Sequence, residues 1–367
     1  MKKIVFMIIN MNVGGTEKAL LNMIDEISRE EYRITILMLE YKGGFLEDIP
    51  KDVDVKYLEN YIYVKDILNM SPKEVILKSI KNRNILKTIE LGSIYLNYKI
   101  RGERSGYFKY VLKDFPSIED EYDIAIAYAG PMEFITYYVL NNINSKRKYQ
   151  WIHFDVNKIH FNKKFSNKCF SKFDKVITVS EDAKESLIKK CPKLQDKVNV
   201  KLNTIPKKEI LNKSKMDKGF NDNFNGIRIL TVGRLSEEKG QDIAIRTCKR
   251  LVDNGLNIRW YCIGEGNLFN KYKELINELK INDSFKLLGI KKNPYPYMKE
   301  CDIYVQPSRH EGFCITLGEA KVFNKPIIAT NFVGAKEQLN NIKNSYIVDN
   351  ENEMYNILKK LFNQKEI

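Results

Sequence analysis

Twice along this chain, short apolar runs rich in β-branched residues alternate with segments whose apolar residues recur at helical spacing. That alternation leaves few folds open. The first series opens with "KKIVFMII", a glycine turn and "TEKALLNMIDEIS", where Ala19, Leu20, Met23, Ile24 and Ile27 fall at helical intervals. The runs "RITILMLE", "VDVKYL", "YDIAIAYA" and "YQWIHF" read as further strands, and "DKVITVSEDAKESLIKK" as a strand and helix with Ser180 placed as the cap. The second series runs through "IRILTVG", "IRWYCIG", "FKLLG", "CDIYVQPS", "KPIIAT" and "SYIVDN", with helical segments between them. The expected class is therefore α/β, with two doubly wound, Rossmann-like domains facing across a cleft.

The expected divisions are an N-terminal domain over 1–205, a linker over 206–225, a C-terminal domain over 226–350 and a terminal helix over 351–367. The linker expectation rests on Pro206, a run of Lys and Asn, Gly219 and Gly226. The terminal helix is expected to pack back toward the first domain. The stretch 62–118 reads as more helical and less regular than its surroundings.

At 367 residues the chain suits two domains. The apolar start after Lys2 and Lys3 is far too short to span a bilayer, so a cytoplasmic place is expected. Six cysteines lie scattered without zinc-finger spacing and read as reduced, mostly buried thiols. The net charge of +14 favours anionic partners. Residues 141–215 hold 19 Lys+Arg against 7 Asp+Glu, which a docking surface or a general compositional bias would both produce.

Three glycine turns follow strands: Gly14 and Gly15, Gly233 and Gly240, Gly264 and Gly266. None has the dinucleotide or P-loop spacing, which disfavours nicotinamide enzymes and P-loop phosphotransferases. Arg234 and Lys239 flank a turn into a helix N-terminus, where cations are disfavoured, and an anion between them would remove the conflict. Two solvated basic side chains would read the same way.

In "HEGFCITLGEA" the helix is expected to start near Ile315 or Thr316, so Glu311 stands in a loop and Glu319 about one turn inside the helix. The amides of Gly312, Phe313, Cys314, Ile315 and Thr316 would suit phosphate or sugar oxygens, with a carboxylate on each side for hydroxyl pairs. A polyol joined to a diphosphate fits that arrangement. "DVD" at 52–54 resembles a metal motif but opens a strand, so no metal is expected. His160 reads as a loop residue, His310 as pocket lining or loop packing, and Glu17 and Glu337 as structural or acceptor-side.

Together "NVGGTEKALL", "WIHFD", "VGRLSEEKGQD" and "EGFCITLGE", in this order, resemble glycosyltransferase family 4, retaining enzymes of the GT-B fold. The resemblance extends over nearly the whole chain. It implies that Arg234 and Lys239 hold a diphosphate, Glu319 the ribose and Glu311 the donor sugar, with Gly233 in the phosphate turn. It also sets His153 beside the reacting face and Gly15 near the phosphates or acceptor. Cys314 and Gly318 depart from the residues common there.

The activity so implied is transfer of a hexose or N-acetylhexosamine, without a cofactor or metal, from a nucleotide sugar, UDP-linked by expectation. The acceptor would be a glycan, lipid-linked, in synthesis of capsule, exopolysaccharide, teichoic acid or lipopolysaccharide. An anionic membrane surface is a further expected partner, reached from the inner face of the plasma membrane, whereas nucleic acid is not. The competing readings are a non-catalytic subunit that stabilises a partner glycosyltransferase and, more distantly, a nucleotide-sugar epimerase.

Overall fold

A computed structural model describes the chain except residues 70–71, 82–84, 114, 116–117, 131, 158–160 and 364–367, so His160 lies outside the described residues. The chain divides into two compact units, Met1–Leu202 and Asn203–Ile367.

The first unit is built on a seven-stranded sheet: β1 (Lys2–Ile8), β2 (Tyr32–Met38), β3 (Asp54–Tyr57), β4 (Ile118–Ala127), β5 (Ile143–Ile152), β6 (Lys175–Thr178) and β7 (Val198–Val200). Its order is β3-β2-β1-β4-β5-β6-β7, and every pairing is parallel. A parallel sheet is covered on both faces, which explains why the last five residues of β1 and of β2 are all buried and, Thr35 apart, all apolar. The helix Gly15–Glu26 buries Ala19, Leu20, Met23 and Ile24 of the periodic set read from the sequence, while Ile27 follows it as the half-buried C-cap. Ser180 caps the helix Glu181–Lys190, its Oγ accepting from the Ala183 amide at 3.1 Å. Helices Tyr61–Asn69, Pro72–Lys81, Ile85–Arg101 and Ser105–Val111 fill the less regular stretch.

The second unit carries a six-stranded parallel sheet, β8 (Ile227–Val232), β9 (Ile258–Ile263), β10 (Phe285–Leu287), β11 (Ile303–Gln306), β12 (Ile327–Thr330) and β13 (Ser345–Val348), in the order β10-β9-β8-β11-β12-β13. Successive residues serve opposite faces: Ile229, Ile303 and Val305 join one apolar cluster, Leu230, Val232 and Tyr304 the other. The six cysteines are free and buried, four of them in these two clusters.

One expectation about boundaries is corrected. Residues 206–225 are not a linker: a helix runs over Lys207–Lys213, and Ile210 and Phe220 are buried in the core of the second unit. Its Lys and Asn residues are the solvent side of packed structure. The helix Glu351–Asn363 sends Met354, Leu358 and Leu361 into the other core cluster of the same unit and packs along the helix Gln241–Asp253. Its apolar stripe is thus used within the core of the second unit.

Candidate functional site

In each sheet the strand order reverses beside the strand that begins the series, at β1/β4 and at β8/β11. Ligands of doubly wound sheets bind beyond the carboxyl ends of the strands at such a switch point, where the flanking loops part to opposite faces. Most of the residues singled out from the sequence lie there.

In the second unit, β8 ends at Val232 and hands over to Gly233 and Arg234, then a single 3-10 turn Glu237–Lys239 leads through Gly240 into the helix Gln241–Asp253. Gly240 has φ +66°, and a Cβ there would stand 2.1 Å from the Pro307 carbonyl oxygen, so glycine is required on both counts. This close approach joins the loop after β8 to the loop after β11. Arg309 strengthens the junction, its guanidinium donating to both Asp242 carboxylate oxygens at 2.8 and 2.6 Å and to the Glu237 carbonyl at 2.8 Å.

Across the junction, Lys239 Nζ donates to Glu311 Oε1 at 2.7 Å and Oε2 at 2.6 Å. The largely buried ammonium has thus taken a carboxylate, because an unpaired charge there is costly. Burial pulls the Lys239 pKa down, but the Glu311 carboxylate more than offsets it and the net shift is upward. Arg234 is exposed, and although its backbone carbonyl accepts from the Ser236 amide and Gln241 Nε2, its guanidinium makes no hydrogen bond or ion pair among the described residues.

Glu311 stands in the loop, and the helix Ile315–Ala320 begins four residues later with Glu319 inside it, as the sequence predicts. The amides of Gly312, Phe313 and Cys314 donate to no protein acceptor among the described residues. Glu319 is buried and accepts from the Tyr295 hydroxyl at 2.7 Å, a bond inside the core that, with burial first among the causes, drives the tyrosine pKa upward. The two glutamates therefore have separate surroundings and are not a shared acid–base pair. Cys314 is buried with its thiol near the Thr316 hydroxyl at 3.3 Å, and Gly318 leaves room for Ile205, whose Cδ1 would lie 2.8 Å from an added Cβ.

Tyr295, Gln306 and Ser308 were missed. Gln306 is fully buried at the end of an otherwise apolar strand, and a polar residue in that place is itself a signal. Its Nε2 donates to Ser308 Oγ at 2.9 Å, and Ser308 Oγ donates to Glu311 Oε1 at 2.8 Å.

In the first unit, Gly15 opens the helix after β1, and a Cβ there would meet nothing within 4 Å. His153 follows β5, buried, with its ring 4.5 Å from that of Tyr128. Burial pushes its pKa down to about 3, with a hydrogen bond to the Tyr128 backbone acting the other way, and Nε2 has no partner. The imidazole is therefore neutral. The other readings separate cleanly: Asp52 and Asp54 pair with Arg29 and Arg33 at 2.6 and 2.7 Å, His310 is half-buried in the loop beside Glu311, and Glu17 and Glu337 each have partners.

A loop pair that offers a cation, a carboxylate and free amides beyond a switch point can hold an anion joined to a hydroxylated group. Comparison with known proteins agrees on the second unit. The family model described as "Glycosyl transferases group 1" matches residues 212–366. An uncharacterized glycosyltransferase of Methanocaldococcus jannaschii is 32% identical over 45% of this chain. The N-acetylgalactosamine-N,N'-diacetylbacillosaminyl-diphospho-undecaprenol 4-alpha-N-acetylgalactosaminyltransferase of Campylobacter jejuni is 29% identical over 54%. The matched stretches span only 41% and 53% of those two proteins. Among solved structures, Anabaena Alr3699/HepE in complex with UDP and glucose superposes over 100% of this chain and 91% of its own, with a TM-score of 0.70 at 18% identity. The chain thus has the two-domain GT-B glycosyltransferase fold, and its second unit is similar to glycosyl transferases group 1.

Proposed function

We propose that the chain is a retaining glycosyltransferase of family 4. It would move a hexose or N-acetylhexosamine from a nucleotide sugar, with UDP as the nucleotide, to a lipid-linked glycan in the synthesis of a bacterial surface polysaccharide. The observation that carries this reading is the Lys239–Glu311 pair beyond the β8/β11 switch point, flanked by amides without acceptors. Breaking a sugar–phosphate bond builds negative charge on the leaving diphosphate. Arg234, Lys239 and the amides from Gly312 to Thr316 supply fixed positive ends for that charge, with no metal in the scheme. Glu311 takes donor-sugar hydroxyls and Glu319 the ribose. The acceptor hydroxyl attacks on the leaving-group face and its proton passes to the departing phosphate. His153 takes part as a neutral hydrogen-bonding group, Nε2 being without a partner.

The lipid-linked acceptor is supported by the name of the Campylobacter relative, and UDP by the nucleotide in the Anabaena structure. Peripheral attachment to an anionic leaflet is part of the proposal. Its support is the helix Ile85–Arg101, which exposes Ile89, Leu96 and Ile100 along one stripe, and the stretch 61–113, which holds 11 Lys+Arg against 4 Asp+Glu. Among the described residues no helix is long and apolar enough to cross a membrane.

The test is a thermal-shift screen against several UDP-sugars, followed by product analysis with and without acceptor. Stabilisation by a UDP-sugar and slow release of UDP are expected. No binding and no hydrolysis of any of them would remove the proposal, and a donor isomerised without acceptor would replace it with an epimerase.

A further inference from the structure

Glu311 is held from behind by a chain of side-chain hydrogen bonds running from Gln306 through Ser308. Gln306 Oε1 accepts from the Tyr304 hydroxyl at 2.8 Å and from the Thr316 hydroxyl at 3.2 Å. With its oxygen so occupied, the Gln306 amide must turn its NH2 toward Ser308, and Nε2 lies 2.9 Å from Ser308 Oγ. A serine hydroxyl that accepts there has one proton left, and it points at Glu311 Oε1, 2.8 Å away. Oε1 thereby receives both Ser308 and Lys239, whereas Oε2 receives only Lys239 among the described residues.

The backbone beneath is pinned independently. Thr330 Oγ1, from the neighbouring strand β12, donates to the Gln306 carbonyl at 3.2 Å and to the Ser308 carbonyl. Arg309 ties the next residue to Asp242 and the Glu237 carbonyl. What these bonds leave undetermined is the rotation of the Glu311 carboxylate; Lys239 contacts both its oxygens alike, and the Gln306–Ser308 pair distinguishes one from the other.

We propose that Gln306 and Ser308 are positioning residues that assign the two oxygens of Glu311 different tasks: Oε1 is fixed internally, and Oε2 is kept for one substrate hydroxyl. Lys239 has a third N–H beyond the two directed at Glu311. The site therefore presents an acceptor and a donor side by side, a pair matched by a hydroxyl next to a second oxygen. Selection for a donor bearing that hydroxyl follows, since a deoxy analogue would leave Oε2 with Lys239 as its one donor and a lone pair unfilled.

This inference rests on the reading of Glu311 as the contact to the donor sugar. Its test compares wild type with Ser308→Ala, Ser308→Thr, Gln306→Glu and the Ser308→Ala/Gln306→Glu double variant, using the best UDP-sugar of the screen, its monodeoxy analogues and UDP alone. Gln306→Glu keeps the shape but cannot donate to Ser308, whose proton would then turn away from Glu311. We expect Ser308→Ala and Gln306→Glu each to lower kcat about tenfold or more. UDP affinity should stay within about twofold, discrimination against one deoxy analogue should shrink, Ser308→Thr should restore turnover, and the double variant should be no worse than either single one. Unchanged kcat in Ser308→Ala, or parallel loss of kcat and UDP affinity with additive effects, would overturn the positioning role alone. Absence of turnover by the wild type would overturn the functional reading and this inference with it.

Discussion

Lys239 and Glu311, 72 residues apart in sequence, meet through contacts of 2.7 and 2.6 Å from one ammonium to both oxygens of one carboxylate. The pair spans the loops after β8 and β11, so each residue is placed by its own strand and held by the other. A nucleotide sugar would meet both charges at once, the diphosphate approaching the cation and the hydroxyls the anion.

If the proposed function holds, replacing Lys239 with Ala should cost turnover heavily, because it would remove one of the fixed charges toward the leaving group and leave Glu311 without its counter-ion. A loss of roughly 100-fold in kcat, about 3 kcal/mol, is expected. Steady-state kinetics with the best donor checks it, and a variant within threefold of wild type would rule the role out.

Glu311 and Glu319 should respond differently. Glu311→Gln is expected mainly to slow turnover, and Glu319→Ala mainly to weaken UDP binding. Tyr295→Phe removes the hydroxyl that donates to Glu319 and should shift UDP affinity in the same direction as Glu319→Ala, with a stability loss of about 1.5–3 kcal/mol. Calorimetry against UDP distinguishes these outcomes, and the reverse pattern would exchange the two assignments.

The sequence was informative about this site to a particular depth. The break between Glu311 in a loop and Glu319 in a helix was legible, because glycines and apolar periodicity mark helix starts locally. The ion pair was not, because burial of Lys239 depends on how two loops meet. Likewise the Lys- and Asn-rich stretch 206–225 looked like a linker, since composition records the solvent side of a segment and not the core that receives Ile210 and Phe220. The period of the helix Glu351–Asn363 announced an apolar stripe without saying which core it would enter.

Stability should depend on pH through His153. Its folded pKa, pushed down to about 3 by burial, lies below the ordinary 6.5, so the unfolded chain binds the extra proton between those values. The contribution is fully present above pH 6.5 and falls by about 1.4 kcal/mol per unit as pH drops from there toward 3. Glu133 acts in the opposite sense, since burial, against the pull of Arg104, raises its pKa to about 7 and its contribution is lost as pH rises from 4.5 toward 7. Denaturant unfolding of wild type and His153→Asn, subtracted pH by pH, isolates the histidine. A flat difference between pH 4 and 6.5 would mean the imidazole is not held neutral.

Association with anionic vesicles should be salt-sensitive and should depend on the helix Ile85–Arg101. Co-sedimentation with phosphatidylglycerol-containing vesicles is expected at low salt and should weaken as salt rises, because each cation near the surface adds about 1 kcal/mol. Replacing Leu96 and Ile100 with Asp should reduce it further without changing UDP binding. Equal sedimentation of that variant would remove this helix from the proposal.

The approach of Gly240 to the Pro307 carbonyl has a consequence for how such a chain can diversify. It welds two loops at the level of main chain, where nearly any side chain beyond the junction can change without moving Lys239. On the proposed function, residues 312–316 could therefore vary to suit another sugar while the Lys239 charge stays where it is. Gly240 itself is the position where that freedom ends, because any other residue would push the two loops apart.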